Sequence, residues 1–201
     1  MTRMKLTRKE KACQSREQLC LAAAEIIALH GFKDASIVRI TTQANMALGT
    51  FYNYFDTREA LFSELIDNCG RNLRREAVAS IPEGASFFER EEATFRSYFR
   101  FVKQNPFFIR VLNESEIFVP AAYERYFDSI LQGYIKVLTI ANRTKEIRPL
   151  KGVEIEGVAL ILMSARHYYG QRFLDRVSKK GDLPKRIVET YMDFVGGALR
   201  P

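Results

Sequence analysis

Apolar residues along this chain recur every three or four positions, the spacing of one face of an α-helix. Alternating patterns typical of β-strands are nearly absent, so we expect an all-α fold of about nine helices. The predicted helices cover residues 15–30, 37–44, 47–53, 58–80, 87–104, 120–142, 153–177 and 183–198, with a further short helix after Pro106.

Polar and glycine residues mark where several of these helices begin and end. Gly31 follows the first helix, where a left-handed backbone commonly ends a helix. Ser36, Thr57 and Ser86 stand where a hydroxyl can accept a hydrogen bond from a first-turn N–H. Asn45 lies between the second and third helices, and its side chain tolerates a positive φ. The second and third helices are therefore predicted to be joined by a tight turn.

Ile81-Pro82-Glu83-Gly84 is the clearest break in the helical pattern. We interpret it as a boundary between two domains. Residues 1–81 would form a small N-terminal domain with its connecting helix, and residues 82–201 would form a larger helical bundle.

Composition narrows the class of protein. The chain has 201 residues, 47% of them hydrophobic, yet it has no apolar run long enough to span a bilayer. Its start is basic and lacks the apolar core of a secretory signal. Cys13, Cys20 and Cys69 are odd in number and widely spaced, which argues against a disulfide framework or a metal site. We expect a cytoplasmic protein with reduced thiols, no metal and no cofactor.

Charge is concentrated at the N-terminus. The whole chain carries +7, and residues 1–16 alone carry +5. Such a basic arm would attract phosphate groups, although a solvated tail would show the same composition. The basic residues of the arm are Arg3, Lys5, Arg8, Lys9, Lys11 and Arg16.

Residues 36–62 carry the main functional signal. Two short helices joined by a tight turn form a helix-turn-helix, whose second helix enters the major groove of DNA. Phe51 and Phe55 are four residues apart and are predicted to anchor this helix, leaving compact polar groups on its other face. Core packing in a helical bundle is the alternative explanation of these aromatic residues. The predicted DNA contacts are Ser36, Arg39, Leu48, Gly49, Thr50, Tyr52, Asn53, Tyr54 and Arg58.

The segment from Arg16 to Phe62 resembles the N-terminal domain of the TetR family of transcriptional regulators. The resemblance rests on Leu29-His30-Gly31-Phe32, on the run from Gly49 to Phe55, and on Arg58-Glu59-Ala60-Leu61-Phe62. It implies a helix-turn-helix that binds double-stranded DNA, and a C-terminal bundle that binds a small-molecule effector and forms a homodimer.

Beyond Pro82 the sequence is rich in Phe, and some of these rings could line a cavity between helices. An aromatic cavity favours an apolar or aromatic effector, which nearby polar groups would orient. The predicted effector contacts are Phe95, Tyr98, Phe99, Arg110, Asn113, Phe118, Tyr126, Arg166 and His167.

The predicted helix around residues 155–173 is apolar on more than one side, so it must be buried on two sides, and the last predicted helix offers further apolar residues. By the same resemblance, these helices pair with their copies in a dimer, and a two-fold dimer matches a palindromic site. The predicted interface residues are Ile161, Tyr168, Ile187, Tyr191, Phe194 and Val195.

These patterns together predict a sequence-specific repressor that its effector releases from DNA by favouring a conformation with separated DNA-binding domains. Catalysis has little support, because His30 and His167 are the only histidines and neither has a nucleophile or carboxylate at a telling spacing. The alternative is a helical adaptor with non-specific affinity for nucleic acid.

Overall fold

A computed structural model describes residues 7–177 and 183–201 of the chain. Within these residues the secondary structure is nine α-helices and one short 3₁₀ helix, with no β-strand, as the sequence predicted. None of the described helices is both long enough and apolar enough to cross a membrane. The helices are α1 (Arg8–His30), α2 (Ile37–Gln43), α3 (Leu48–Tyr52), α4 (Arg58–Ala79), α5 (Phe87–Gln104), α6 (Phe108–Phe118), α7 (Pro120–Arg143), α8 (Gly152–Val177) and α9 (Lys185–Leu199), and the 3₁₀ helix is Phe32–Asp34.

The predicted caps are confirmed. Gly31 ends α1 with φ +87°, and its N–H donates to the carbonyl of Ile27. The Ser36 hydroxyl accepts the N–H of Arg39 at the start of α2. The hydroxyl of Thr57 accepts the N–H of Ala60 at 3.1 Å in the first turn of α4. Ser86 forms a reciprocal capping box with Glu89 at the start of α5.

The first helix begins seven residues earlier than the sequence pattern predicted. Thr7 and Glu10 form a capping box there, in which the Thr7 hydroxyl accepts the N–H of Glu10 and the Glu10 carboxylate accepts the N–H of Thr7. The basic residues Arg8 and Lys11 are therefore part of a helix rather than of a flexible arm. Residues 1–6, which include Arg3 and Lys5 of the predicted arm, lie outside the described residues.

The described chain forms two compact units. The first unit contains the chain up to Cys69 together with Phe107–Glu124, and the second contains Gly70–Pro106 and Arg125–Pro201. In this division by packing α6 belongs to the first unit, because it packs on α1 and on the 3₁₀ helix. The assignment of a DNA-binding role to 1–81 and an effector and dimer role to 82–201 stays a prediction.

Phe32 is the centre of the first unit. Its side chain is fully buried, with its ring 4.4 Å from the Phe62 ring of α4 and 5.4 Å from the Phe118 ring of α6. Its backbone N–H donates to the Glu114 carboxylate of α6 at 2.6 Å. Phe32, which directly follows the end of α1 and Gly31, therefore links α1, α4 and α6.

The second unit is held together around α5. This helix packs on α8 and α9, and Phe95 and Phe101 are fully or almost fully buried. The Phe95 ring stacks on the Tyr191 ring of α9, with a centroid distance of 3.9 Å. Gly70 of α4 lies against Tyr126 of α7, where a Cβ would stand only 3.1 Å from the ring.

We expect Phe32→Ala to lower the free energy of unfolding by about 3–5 kcal/mol, because it leaves a cavity where three helices meet. Urea unfolding followed by circular dichroism would measure the loss. Leu29→Ala is the matched control, because the Leu29 side chain is 74% exposed and its truncation should change stability by less than about 0.5 kcal/mol. Equal losses in the two variants would contradict the packing described for Phe32.

Asn45 has φ +54°, as the turn between α2 and α3 was predicted to require. Asn45→Ala should destabilise the protein by about 1 kcal/mol, because a Cβ without a compensating polar group is strained in this region. Asn45→Gly removes that strain and should stay within about 0.5 kcal/mol of the native protein. Thermal unfolding of the pair would show the difference, and an alanine variant as stable as the glycine variant would contradict it.

Candidate functional site

The turn between α2 and α3 is fixed by backbone hydrogen bonds. The N–H of Met46 donates to the Thr41 carbonyl at 2.9 Å, and the N–H of Asn45 donates to the Thr42 carbonyl at 3.1 Å. Thr41 is buried, and its hydroxyl donates to the Ile37 carbonyl within α2. The positive φ of Asn45 then directs the chain into α3.

One face of α3 is buried in the first unit. Phe51 is fully buried and Phe55 is 4% exposed, with 5.7 Å between the ring centroids. The guanidinium of Arg16, on α1, lies 4.7 Å from the Phe55 ring and donates to the Tyr54 carbonyl at 3.2 Å. Arg16 also forms an ion pair with Glu64 of α4, so this one side chain links the end of α3 to α1 and α4.

The opposite face of α3 is open. Leu48, Gly49, Tyr52 and Asn53 are exposed, and Thr50 is half-buried. A Cβ placed on Gly49 would meet no atom within 4 Å, so packing within the protomer does not require glycine there. A compact polar surface is thus presented on a helix whose other side is fixed in a core.

Two candidate phosphate contacts flank this surface at the start of α2. Ser36 and Arg39 are exposed, and an Arg39 side-chain nitrogen donates to the Asp34 carbonyl at 3.2 Å. The first turn of α2 therefore combines an exposed hydroxyl, backbone N–H groups and a cation, which together favour an anion.

Arg58 and Tyr54 are less accessible than their neighbours. Arg58 is half-buried, contacts the Glu59 carboxylate at 3.2 Å and lies 5.5 Å from the Phe62 ring. Tyr54 is also half-buried. A phosphate bound by Arg58 would have to compete with Glu59 for the guanidinium.

The predicted effector residues are divided between the two units. Arg110, Asn113 and Phe118 belong to α6 in the first unit, where Arg110 donates to the Ala28 carbonyl at 2.9 Å and Phe118 stacks on Phe32. These contacts lie within the first unit, and the assignment of the three residues to the effector site stays a prediction. The remaining six lie in the second unit, and they are Phe95, Tyr98, Phe99, Tyr126, Arg166 and His167.

His167 is partly buried on α8, and this burial lowers its pKa. Its ring lies 5.9 Å from the Phe127 ring, and its Nε2 lies 3.0 Å from the side-chain nitrogen of Gln171. A neutral imidazole in this setting can exchange hydrogen bonds with a polar ligand.

Arg166 is the centre of a buried polar cluster in the second unit. A terminal nitrogen of its guanidinium donates to the Glu91 carboxylate at 2.5 Å and to the Thr94 hydroxyl at 2.9 Å, both on α5. The Tyr191 hydroxyl of α9 donates to the same Glu91 oxygen at 2.5 Å. The Arg166 guanidinium also lies 5.2 Å from the Tyr134 ring of α7.

Burial and charge act together in this cluster. Burial is the largest single effect on Arg166 and opposes its charge, but Glu91, Tyr134 and Tyr191 together outweigh it, so the guanidinium pKa is raised. Burial raises the pKa values of Tyr134 and Tyr191, so both phenols stay protonated, and the Tyr191 hydroxyl donates to Glu91. The cluster therefore contains one positive and one negative charge surrounded by neutral hydroxyl groups.

The predicted dimer residues have different degrees of exposure. Ile161, Tyr168 and Phe194 expose 55%, 58% and 63% of their surfaces. Ile187 is half-buried. Tyr191 and Val195 are buried in the core of their own unit, because they lie on the α9 face that packs on α5.

The contacts of five residues were not predicted from the sequence. They are Arg16, Glu64, Glu91, Glu114 and Tyr134. Glu91 did carry a signal, because it is a carboxylate four residues before Phe95 on the apolar face of α5. Arg16 and Glu114 carried no such sequence signal, because their partners Glu64 and Phe32 lie 48 and 82 positions away in the chain.

Comparison with known proteins agrees with this geometry. Residues 19–65, which span the second half of α1, the helix-turn-helix and the start of α4, match the family model for bacterial regulatory proteins of the tetR family. An uncharacterised HTH-type transcriptional regulator of Bacillus subtilis, YdgC, is 37% identical over 67 residues. That match covers 33% of this chain and 34% of the relative, so it spans about a third of each protein.

Solved structures share the fold over nearly the whole chain. A TetR-family transcriptional regulator from Haemophilus influenzae has a TM-score of 0.74 at 17% identity, covering 96% of this chain and 100% of its own. The transcriptional regulator FadR from Bacillus subtilis, solved in complex with stearoyl-CoA, has a TM-score of 0.75 at 20% identity, covering 89% and 96%. The helix-turn-helix segment therefore matches the tetR family of bacterial regulatory proteins, and the described chain shares the fold of solved TetR-family regulators.

Proposed function

We propose that this protein is a sequence-specific DNA-binding transcriptional repressor that a small apolar or aromatic effector releases from its operator. The observation that carries the proposal is the exposed polar face of α3, held over a core of Phe51 and Phe55 in a segment that matches the tetR family. Binding of an operator in the cytoplasm by a two-fold homodimer is part of the proposal.

In this proposal α3 lies in the major groove. Gly49 allows the backbone to come close to the DNA, since a side chain there would project into open space. Tyr52 and Tyr54 contact phosphate oxygens, and Asn53 is the candidate for an adenine edge. Ser36 and Arg39 bind a phosphate at the start of α2, which fixes the orientation of α3.

Self-association is proposed through α8 and α9. Ile161, Tyr168 and Phe194 are large and mostly exposed, and such side chains are unfavourable on the surface of a lone protomer when they form a patch. Two copies would bury them and would present two helix-turn-helix units to a palindromic site.

Effector control is proposed to reach the DNA-binding unit through helices shared by the two units. The helix α4 begins at Arg58 and continues past Cys69 into the second unit. An effector that binds one arrangement of α4 more tightly would shift the population away from DNA binding. FadR, which has the same fold, was solved with stearoyl-CoA, and this supports an effector with an apolar acyl chain for a bundle of this kind.

Selection from random-sequence DNA duplexes tests the proposed function. The native protein should enrich one motif made of two inverted half-sites. Recovery of DNA without any enriched motif would contradict sequence-specific regulation and would favour a helical adaptor with non-specific affinity for nucleic acid.

Binding to the enriched duplex should separate the roles of Asn53 and Arg39. Asn53→Ala should weaken binding about tenfold or more and relax the preference at one base position, because a base-edge contact is worth about 1–3 kcal/mol. Arg39→Ala should weaken binding to matched and mismatched duplexes alike and reduce the salt dependence. Fluorescence anisotropy would measure both variants, with Val78→Ala, exposed on α4, as the control. If Asn53→Ala binds as the native protein does, Asn53 makes no base contact.

Phe194→Asp combined with Ile161→Asp should convert the dimer into a monomer, because two charges would replace exposed apolar side chains at the proposed interface. Analytical ultracentrifugation at micromolar concentration would measure the change. Val78→Asp introduces a charge at a side chain that is 70% exposed elsewhere, and it should leave the dimer intact. A native protein that sediments as a monomer would exclude this part of the proposal.

A further inference from the structure

The buried cluster around Arg166 contains more hydrogen-bond donors than acceptors. Glu91 is 5% exposed and its Oε1 accepts from both Arg166 and Tyr191, each at 2.5 Å. The Thr94 hydroxyl accepts a further hydrogen bond from Arg166 at 2.9 Å. These contacts use one end of the guanidinium and leave its Nε directed elsewhere.

Two buried donors of this cluster have no acceptor among the described residues. They are the Nε of Arg166 and the hydroxyl of Tyr134. The two groups are neighbours, because the Arg166 guanidinium lies 5.2 Å from the Tyr134 ring. A buried donor without a partner is destabilising, so a pair of such donors is unfavourable unless another molecule supplies the acceptor.

The charges of the cluster restrict what that acceptor can be. Arg166 and Glu91 already compensate each other in an ion pair whose side chains are 11% and 5% exposed. A carboxylate or phosphate placed beside them would add a buried negative charge with no partner, which is strongly unfavourable. A neutral carbonyl oxygen accepts two hydrogen bonds and adds no charge.

The surroundings of the cluster are aromatic. The Phe95 ring lies 5.8 Å from the Arg166 guanidinium, stacks on Tyr191 and lies 4.9 Å from the Phe99 ring. These rings offer apolar contacts on the side of α5 that carries Glu91. A ligand whose carbonyl reaches the donors would therefore place apolar atoms against α5.

We propose that Arg166 and Tyr134 together bind the carbonyl oxygen of a neutral acyl compound, such as an ester, a thioester or an amide with an apolar chain. The two groups bind the carbonyl end of the effector. The Glu91–Arg166 ion pair excludes the corresponding carboxylate, because no further positive charge is left to pair with it. This inference rests on the proposed function, since it assigns the chemistry of the effector that the second unit binds.

Isothermal titration of the full-length protein with three probes of equal chain length tests the inference. The probes are methyl octanoate, octanoate and methyl octyl ether, with a second set built on the dodecyl chain. Methyl octanoate or its dodecyl counterpart should bind at least about tenfold more tightly than the carboxylate and the ether, equivalent to about 1.4 kcal/mol. Equal or tighter binding of the carboxylate, or no binding of either ester, would overturn the inference.

Tyr134→Phe should weaken ester binding by about tenfold while leaving the weak binding of the ether unchanged, because only the ester accepts a strong hydrogen bond. Tyr123→Phe is the matched control, since it removes the same hydroxyl from a half-buried residue of α7 that lies in the first unit. Ester affinity unchanged in Tyr134→Phe would overturn the role assigned to Tyr134.

Thermal unfolding without ligand supplies a second, independent readout. Tyr134→Phe should unfold at the same temperature as the native protein or higher, because it removes a buried hydroxyl that has no acceptor in the described chain. A clear fall in the unfolding temperature would show that the hydroxyl is already satisfied and would overturn the inference. The DNA selection described above is independent of these probes, so failure of the carbonyl site and failure of the regulator proposal can be told apart.

Discussion

The hydrogen bond from the backbone N–H of Phe32 to the Glu114 carboxylate is the contact on which the first unit depends. It ties the residue after the stop of α1 to α6, a helix 82 positions later in the chain. Gly31 allows this contact in two ways. Its φ of +87° suits glycine, and a Cβ there would stand 3.0–3.1 Å from Arg110 and Glu114. The position of α2, and through it of α3, follows from where this junction directs the chain.

The two candidate sites use polar groups under opposite conditions. On α3 the polar side chains are exposed, so each keeps its water until a phosphate or a base replaces it, and the cost of leaving one unpaired is small. In the second unit Glu91, Arg166 and Tyr191 are buried, so every charge and donor must find a partner within reach. The exposed polar groups of α3 suit the binding of DNA. The buried cluster of the second unit suits one small ligand whose shape and charge fit it.

Local features of the fold could be predicted from the sequence, and contacts between distant segments could not. Ser36, Asn45 and Ser86 were assigned correctly because caps and turns depend on a few adjacent residues. The anchoring of α3 followed from the four-residue spacing of Phe51 and Phe55, which are both buried. Periodicity shows that a helix has an apolar face, but not which neighbour covers that face. For this reason the attachment of α6 to α1 was not anticipated from the sequence.

The ratio of affinities for a selected duplex and a scrambled duplex, measured at several salt concentrations, tests the central claim most directly. If α3 contacts base edges while α2 and α4 contact phosphates, the selected duplex should bind about a thousandfold or more tightly, with both affinities falling as salt rises. A ratio near one at every salt concentration would contradict the claim, because binding would then rest on charge attraction from other parts of the protein and α3 would contribute no base contacts.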